Sequence, residues 1–248
     1  MPDLLYIAVL TCVGIIAGFI NVTAGGGSTL TLPALIFLGL DTSVANGTNR
    51  IAILLQNVSA VQSFKQENYF DLKTSLNLAF FTLPGSVAGA LLAVRLEDKL
   101  FQIILGIVMI GVVISMILPK KKRNTEVEPI KPNMGIYLSM LGIGFYGGFI
   151  QVGVGFLLMA SLQFLMKLDL VRVNMYKVFI VLIYTIPALL IFTLTDNVNW
   201  LFGIFLAIGN VLGGWWGAKM QIKKGEGLIK IVLGLAVFIM ALKLLDVF

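Results

Sequence analysis

Long apolar runs with only brief polar interruptions recur along the whole chain, and this feature limits the fold more than any other. A membrane-spanning helix takes about 20 residues. Runs of roughly that kind lie at about 4–20, 24–40, 43–63, 74–94, 99–118, 134–150, 153–167, 172–194, 198–218 and 227–246. They fill the 248 residues and leave little but connecting loops. Only 12% of residues are charged and 58% are hydrophobic, with a mean hydropathy of +0.99. A soluble domain carries about 25% charged residues, so a soluble enzyme and a nucleic-acid binder are both excluded. Strands of a membrane barrel would alternate in polarity over about 10 residues, and nothing here does. The expected class is an all-α polytopic membrane protein.

One stretch stands apart. Pro119-Lys120-Lys121-Lys122-Arg123 through Pro132 is charged and proline-rich, reads as a solvated linker, and lies near the middle of the chain. The flanking parts resemble each other. Gly18-Phe19-Ile20 matches Gly148-Phe149-Ile150, and Gly25 falls on Gly155. Leu40-Asp41 matches Leu168-Asp169 with Asn46 on Asn174, Gly85 and Gly89 fall on Gly209 and Gly213, and Leu105-Gly106 falls on Leu233-Gly234. Four blocks in one order imply two repeats of about five segments each, 1–118 and 134–248, joined by the 119–133 linker into one membrane domain. An odd number of segments requires the repeats to be inverted, a layout known from transporters.

Loop charges give the expected orientation. With the linker inside, Lys65, Lys73, Lys167, Arg172, Lys219, Lys223, Lys224 and Lys230 also fall inside, whereas Asp41 and Asp196 fall outside. This is the excess of cytoplasmic cations that orients bacterial membrane proteins, and it puts both termini outside.

Two glycine-rich interruptions locate the candidate site: Asn21-Val22-Thr23-Ala24-Gly25-Gly26-Gly27-Ser28-Thr29 and Gln151-Val152-Gly153-Val154-Gly155. Broken helices at membrane depth persist where protein or a cavity covers the freed backbone groups. Glycines let backbone N–H groups approach a ligand, and the following helix N-terminus favours an anion. Pairs such as Gly14/Gly18 and Gly85/Gly89 read instead as close helix packing. For Gly25, Gly26 and Gly27, flanked by Asn21 and Ser28, an opened backbone is the preferred reading.

A polar stripe runs along the third segment through Asn46, Asn49, Arg50, Gln56 and Asn57, and along the eighth through Asn174, Lys177 and Tyr184/Thr185. A cation near the bilayer centre costs about 3 kcal/mol on insertion scales, so it usually faces a cavity. Snorkelling is the alternative, and for Lys177 the two readings are balanced. Asn49 aligns with Lys177, so the two halves could offer related groups to one anion. The expected binding residues are therefore Asn21, Gly25, Gly26, Gly27, Ser28, Asn46, Asn49, Arg50, Gln151, Gly155, Asn174 and Lys177.

Absences sharpen the reading. The chain has no histidine, its acidic residues lie in expected loops or at helix ends, and its single Cys12 cannot form an internal disulfide. No metal ligand set, cofactor motif or catalytic triad can be assembled, so no enzyme, metal or cofactor is expected. A positive interior without carboxylates points to a small anion as partner, besides lipid.

The stretch from Gly18-Phe19-Ile20-Asn21 to Gly27, then Pro33-Ala34-Leu35 and Asn46-Gly47-Thr48-Asn49, resembles the TauE/SafE sulfite-exporter family, and Gly148–Gly155 with Asn174 and Lys177 is similar to its repeated motif. The resemblance covers essentially the whole chain. It implies movement, commonly outward, of sulfite, sulfonates or related organosulfur anions across the bacterial cytoplasmic membrane, where the chain is expected to lie. The expected function is thus a secondary transporter of a small anion working by alternating access. An anion channel of the same architecture and a non-transporting scaffold or sensor are the rival readings.

Overall fold

The computed structural model describes residues 4–117 and 132–244, and they are helical throughout apart from short turns. The helices are α1 (Leu4–Thr23), α2 (Ser28–Phe37), α3 (Thr42–Gln66), α4 (Leu72–Ala93), α5 (Asp98–Ile117), α6 (Met134–Phe149), α7 (Val154–Leu165), α8 (Leu170–Leu194) and α9 (Trp200–Leu244). Non-helical Gly225 (φ 64°, ψ −158°) divides α9, so ten segments follow one another as the apolar runs require. Most of the basic linker lies outside the described residues.

Polar side chains stop several helices from fraying. Asp71, Asn133 and Asp169 accept the backbone N–H of Thr74, Ile136 and Arg172, and Asn199 accepts that of Phe202. Each satisfies a donor that the first helical turn leaves orphaned.

Among the described residues, four helices are long and apolar enough to cross a membrane: Leu5–Thr23, Leu72–Ala93, Leu170–Leu194 and Trp200–Gly225. Helix α3 has 25 residues and therefore the length to cross, but its interior carries the polar stripe. The second and seventh segments are shorter than the apolar runs suggest. Their helices have 10 and 12 residues, about 15 and 18 Å long, because the glycine stretches before them leave the helix.

The repeat appears in how the helices cross. Gly14 and Gly18 of α1 lie against Leu206, Gly209 and Asn210 of α9, while Gly85 and Gly89 of α4 lie against Leu141, Gly144 and Phe145 of α6. A Cβ on Gly209 would come 2.1 Å from the Thr11 carbonyl oxygen, and one on Gly89 the same distance from that of Phe145. Both GxxxG pairs therefore set backbone against backbone. The first helix of each half packs on the fourth helix of the other, so the halves interlock. Register shows that α1 runs parallel to α9 and α6 parallel to α4.

The bundle is apolar outside and polar inside. Phe37, Phe80 and Trp216 are 86%, 67% and 60% exposed, whereas Arg50 is the largest fully buried side chain. That pattern fits a lipid surround, since water would reward the reverse.

Candidate functional site

The site forms where α1 gives way to α2 and α6 to α7. Residues 24–27 and 150–153 are non-helical, and the two breaks touch. A Cβ on Gly25 would lie 2.7 Å from the Gly155 carbonyl carbon, and one on Gly155 would lie 2.4 Å from the Gly25 Cα. Gly25 and Gly153 have φ of 89° and 72°, a conformation that glycine adopts without steric penalty. Gly27 abuts the Ala17 carbonyl and Asn21, and Gly26 faces the Phe156 ring. These glycines therefore both open the backbone and permit close packing.

Each break leaves a helix C-terminus whose last carbonyls have no partner within the helix. A cation and an asparagine from the third helix of the opposite half satisfy them. Arg50 on α3 donates through its terminal nitrogens to the carbonyls of Gly147 (3.1 Å) and Gly148 (2.6 Å) at the end of α6. Asn46 Nδ2 donates to the Phe149 carbonyl at 2.9 Å. Lys177 on α8 donates to the carbonyls of Asn21 (3.0 Å) and Val22 (2.9 Å) at the end of α1. Asn174 Nδ2 donates to the Thr23 carbonyl at 2.8 Å. A helix C-terminus carries a partial negative charge, which explains how two cations persist with 0% and 2% exposure.

Further links repeat the pattern. Asn21 Nδ2 donates to Gln56 Oε1 at 3.2 Å, and Gln151 Nε2 donates to the Tyr184 hydroxyl at 3.0 Å. Arg50 also reaches Gln151 Oε1 at 3.5 Å and lies 4.5 Å from the centre of the Phe192 ring. Arg50 and Tyr184 thus meet at Gln151, whereas Lys177 lies seven residues before Tyr184 on α8. Lys177 and Tyr184 are thus about 10 Å apart along the α8 axis.

The sequence placed twelve residues at one site, and the structure arranges them as two caps about a central crossing. Asn46, Arg50, Gln151 and Gly155 cluster at the α6 break; Asn21, Asn174 and Lys177 cluster at the α1 break. Gly25 joins them, with Gly26, Gly27 and Ser28 leading into α2. Asn49 accepts a hydrogen bond from Thr31 of α2 at 2.7 Å. Thr31, Phe192 and Gln221, which accepts from Asn174 at 2.6 Å, carried no sequence signal. Tyr184 stood in the polar stripe but had no assigned role. Among the described residues the carboxylates stay outside this interior: Asp169 caps α8 and pairs with Arg172 at 3.3 Å, with both side chains substantially exposed. Among the described residues no cluster of His, Cys, Asp and Glu could hold a metal.

The ends of the bundle differ. At one, a cavity of about 270 Å³ lies between residues 68–71 and Arg172, Met175 and Tyr176. The Tyr176 hydroxyl donates to Asp71 there at 2.9 Å. At the other, the Asn199 N–H donates to the Thr48 hydroxyl at 2.8 Å, and the Asn197 carbonyl lies over Gly47.

This fold defines a polytopic helical membrane protein built on two interlocked sets of helices with broken first segments. The family model described as sulfite exporter TauE/SafE matches residues 10–244, and the chain belongs to that family. It is similar to a probable membrane transporter protein of Haemophilus influenzae, 26% identical over 240 residues covering 96% of this chain and 94% of the relative. It is 29% identical to the probable membrane transporter protein YfcA of Escherichia coli, with 99% and 91% covered. A Sinorhizobium relative described as probable membrane transporter protein ORF9 is 28% identical, with 99% and 95% covered. No solved structure matches the chain. The protein is accordingly a multi-pass membrane transporter of the bacterial cytoplasmic membrane, and not an enzyme.

Proposed function

We propose that the protein is a secondary transporter that exports a small anion, with sulfite or an organosulfonate as the preferred substrate class. The observation that carries this reading is the pair of buried cations at two helix breaks, in an interior without a carboxylate among the described residues. The helix N-termini that follow the breaks add a further preference for negative charge. The family description supports sulfur as the central atom; the geometry supports only the charge.

The division into 1–118, a cytoplasmic linker 119–133 and 134–248 belongs to the same proposal. It is supported by the distribution of charge at the two ends. Lys65, Lys73, Lys167 and Arg172 flank the turns at the cavity end, beside Glu67, Asp71 and Asp169, while at the other end only Arg95 and Lys99 accompany Glu97, Asp196 and Asp98, which accepts the Ser43 N–H at 3.1 Å. The cavity would then open to the cytoplasm. Passage through the Gly25–Gly155 contact requires the halves to move, which favours alternating access over a standing channel.

The test is flux into liposomes holding the purified protein, with labelled sulfite and ethanesulfonate, with and without a pH gradient. Saturable flux of either anion is expected. Absence of flux for every anion would overturn the reading, and throughput measurable as single-channel current would transfer it to a channel. Because the interior offers no carboxylate among the described residues and the chain has no histidine, a permanently ionised sulfonate is expected not to accumulate on a pH gradient alone.

A further inference from the structure

Buried polar atoms are rarely left without a partner, because each costs about 1–3 kcal/mol. Three such atoms lie within one turn of α3: Asn46 Oδ1, Asn49 Nδ2 and Arg50 Nε. All three residues have 0% exposure, and positions 46, 49 and 50 share one helix face by their spacing of three and four. Asn46 and Arg50 converge on the same end of α6, through Phe149 and Gly147–Gly148. The Thr31 hydroxyl, by donating to Asn49 Oδ1, orients that amide so that its NH₂ group is the free end.

The equivalent face of α8 is different. The Lys177 ammonium has three N–H donors, and the carbonyls of Asn21 and Val22 and Asn174 Oδ1 (2.6 Å) take all three. Asn174 is used at both ends, since its Nδ2 serves Thr23 and Gln221. One face therefore offers two donors and one acceptor, whereas Lys177 and Asn174 themselves offer none; the unpaired groups near them are Gln56 Nε2 and Gln221 Nε2, on the side chains that accept from Asn21 and Asn174.

We propose, on the basis of the anion-transport reading above, that Asn46, Asn49 and Arg50 form the recognition face, that Lys177 with Asn174 is a fixed lock on α1, and that the substrate is an oxyanion which itself carries a hydrogen-bond donor. Arg50 Nε and Asn49 Nδ2 donate to the anionic oxygens, and Asn46 Oδ1 accepts from a hydroxyl or amine on the same molecule. A singly protonated oxyanion also satisfies the three atoms. A plain alkyl sulfonate or carboxylate satisfies two and leaves Asn46 Oδ1 unpaired.

The experiment is calorimetric titration of the purified full-length protein with two matched pairs: ethanesulfonate against 2-hydroxyethanesulfonate, and acetate against hydroxyacetate. The hydroxylated member of whichever pair binds is expected to be favoured by about tenfold, the effect of one buried acceptor left unpaired or paired. Asn46→Ala is expected to erase that ratio, whereas Asn49→Ala weakens both members alike and preserves it. Equal affinity within each pair for the wild type overturns the proposal while leaving anion transport intact. Persistence of the ratio in Asn46→Ala overturns the assignment of that residue. If Asn46→Ala fails to fold, the wild-type and Asn49→Ala ratios still decide. Saturable sulfite flux without any preference in either pair also counts against it, and loss of all anion binding and flux overturns the transport reading beneath it.

Discussion

The α6 cap and the α1 cap are the same device built twice with different chemistry. In each, an asparagine and a cation from the opposite half hold three carbonyls of a broken helix. Arginine has five N–H donors and lysine three. Arg50 can therefore close α6 and keep a donor in reserve, whereas Lys177 spends everything on closure. On the proposal above, the face with donors to spare serves recognition and its counterpart holds the helix end.

The largest expected effect comes from the contact both caps depend on. Gly155→Ala would put a methyl 2.4 Å from the Gly25 Cα, with backbone rather than a flexible side chain in the way. Loss of monodisperse protein in size-exclusion chromatography is expected. Gly142→Ala, on the exposed face of α6 where a Cβ meets nothing within 4 Å, should keep the wild-type profile. A normal profile for Gly155→Ala would mean the breaks do not need to touch.

The next effect concerns the lock. Lys177→Met leaves the Val22 carbonyl and Asn174 Oδ1 without that donor, while the Asn21 carbonyl keeps the Gly25 N–H, at about 1–3 kcal/mol for each group left unpaired. The midpoint of thermal unfolding in detergent should fall clearly. An unchanged midpoint would show that the α1 end does not rely on this ammonium.

The smallest effect lies at the bundle ends, where the paired latches also differ. Tyr176 binds the carboxylate of Asp71, whereas Thr48 accepts a backbone N–H from Asn199. Partial burial pushes the Asp71 carboxyl up, but hydrogen bonds from Thr74 and Tyr176 outweigh it and hold it below the usual carboxylate range. A carboxyl depressed in the folded state stabilises that state above its unfolded pKa, and the contribution is lost as pH falls through the folded value. Asp71→Asn should therefore flatten the acid side of the stability profile slightly, with little change near neutrality. An identical acid limb would remove the carboxylate from the latch.

How much was legible follows from the kind of information each residue carries. Burial of Arg50 could be read from the cost of a cation at membrane depth, and the equivalence of Asn46 and Asn174 from the repeat. What they touch could not be read, because their partners are main-chain carbonyls 97 to 151 residues away and a carbonyl has no sequence signature. The same limit produced the expectation of one shared anion site. Alignment of Asn49 with Lys177 places equivalent residues in equivalent surroundings, and in an interlocked pair those surroundings are two breaks rather than one. Thr31 and Phe192 were invisible because a threonine and a phenylalanine in apolar helices suggest packing alone. The glycines were read as opened backbone in preference to packing, and the structure gives them both roles.

The division of labour between Arg50 and Lys177 is tested most directly by the rise in unfolding midpoint that a saturating anion produces, measured in parallel for the wild type, Arg50→Gln and Lys177→Met. A ligand that binds only the folded protein stabilises it by RT ln(1 + [L]/Kd), so the midpoint rises with affinity and with concentration. The account predicts that Lys177→Met starts lower yet still shifts upward with the anion, whereas Arg50→Gln shows no shift at concentrations that saturate the wild type. A full shift in Arg50→Gln, or its loss in Lys177→Met alone, would contradict it.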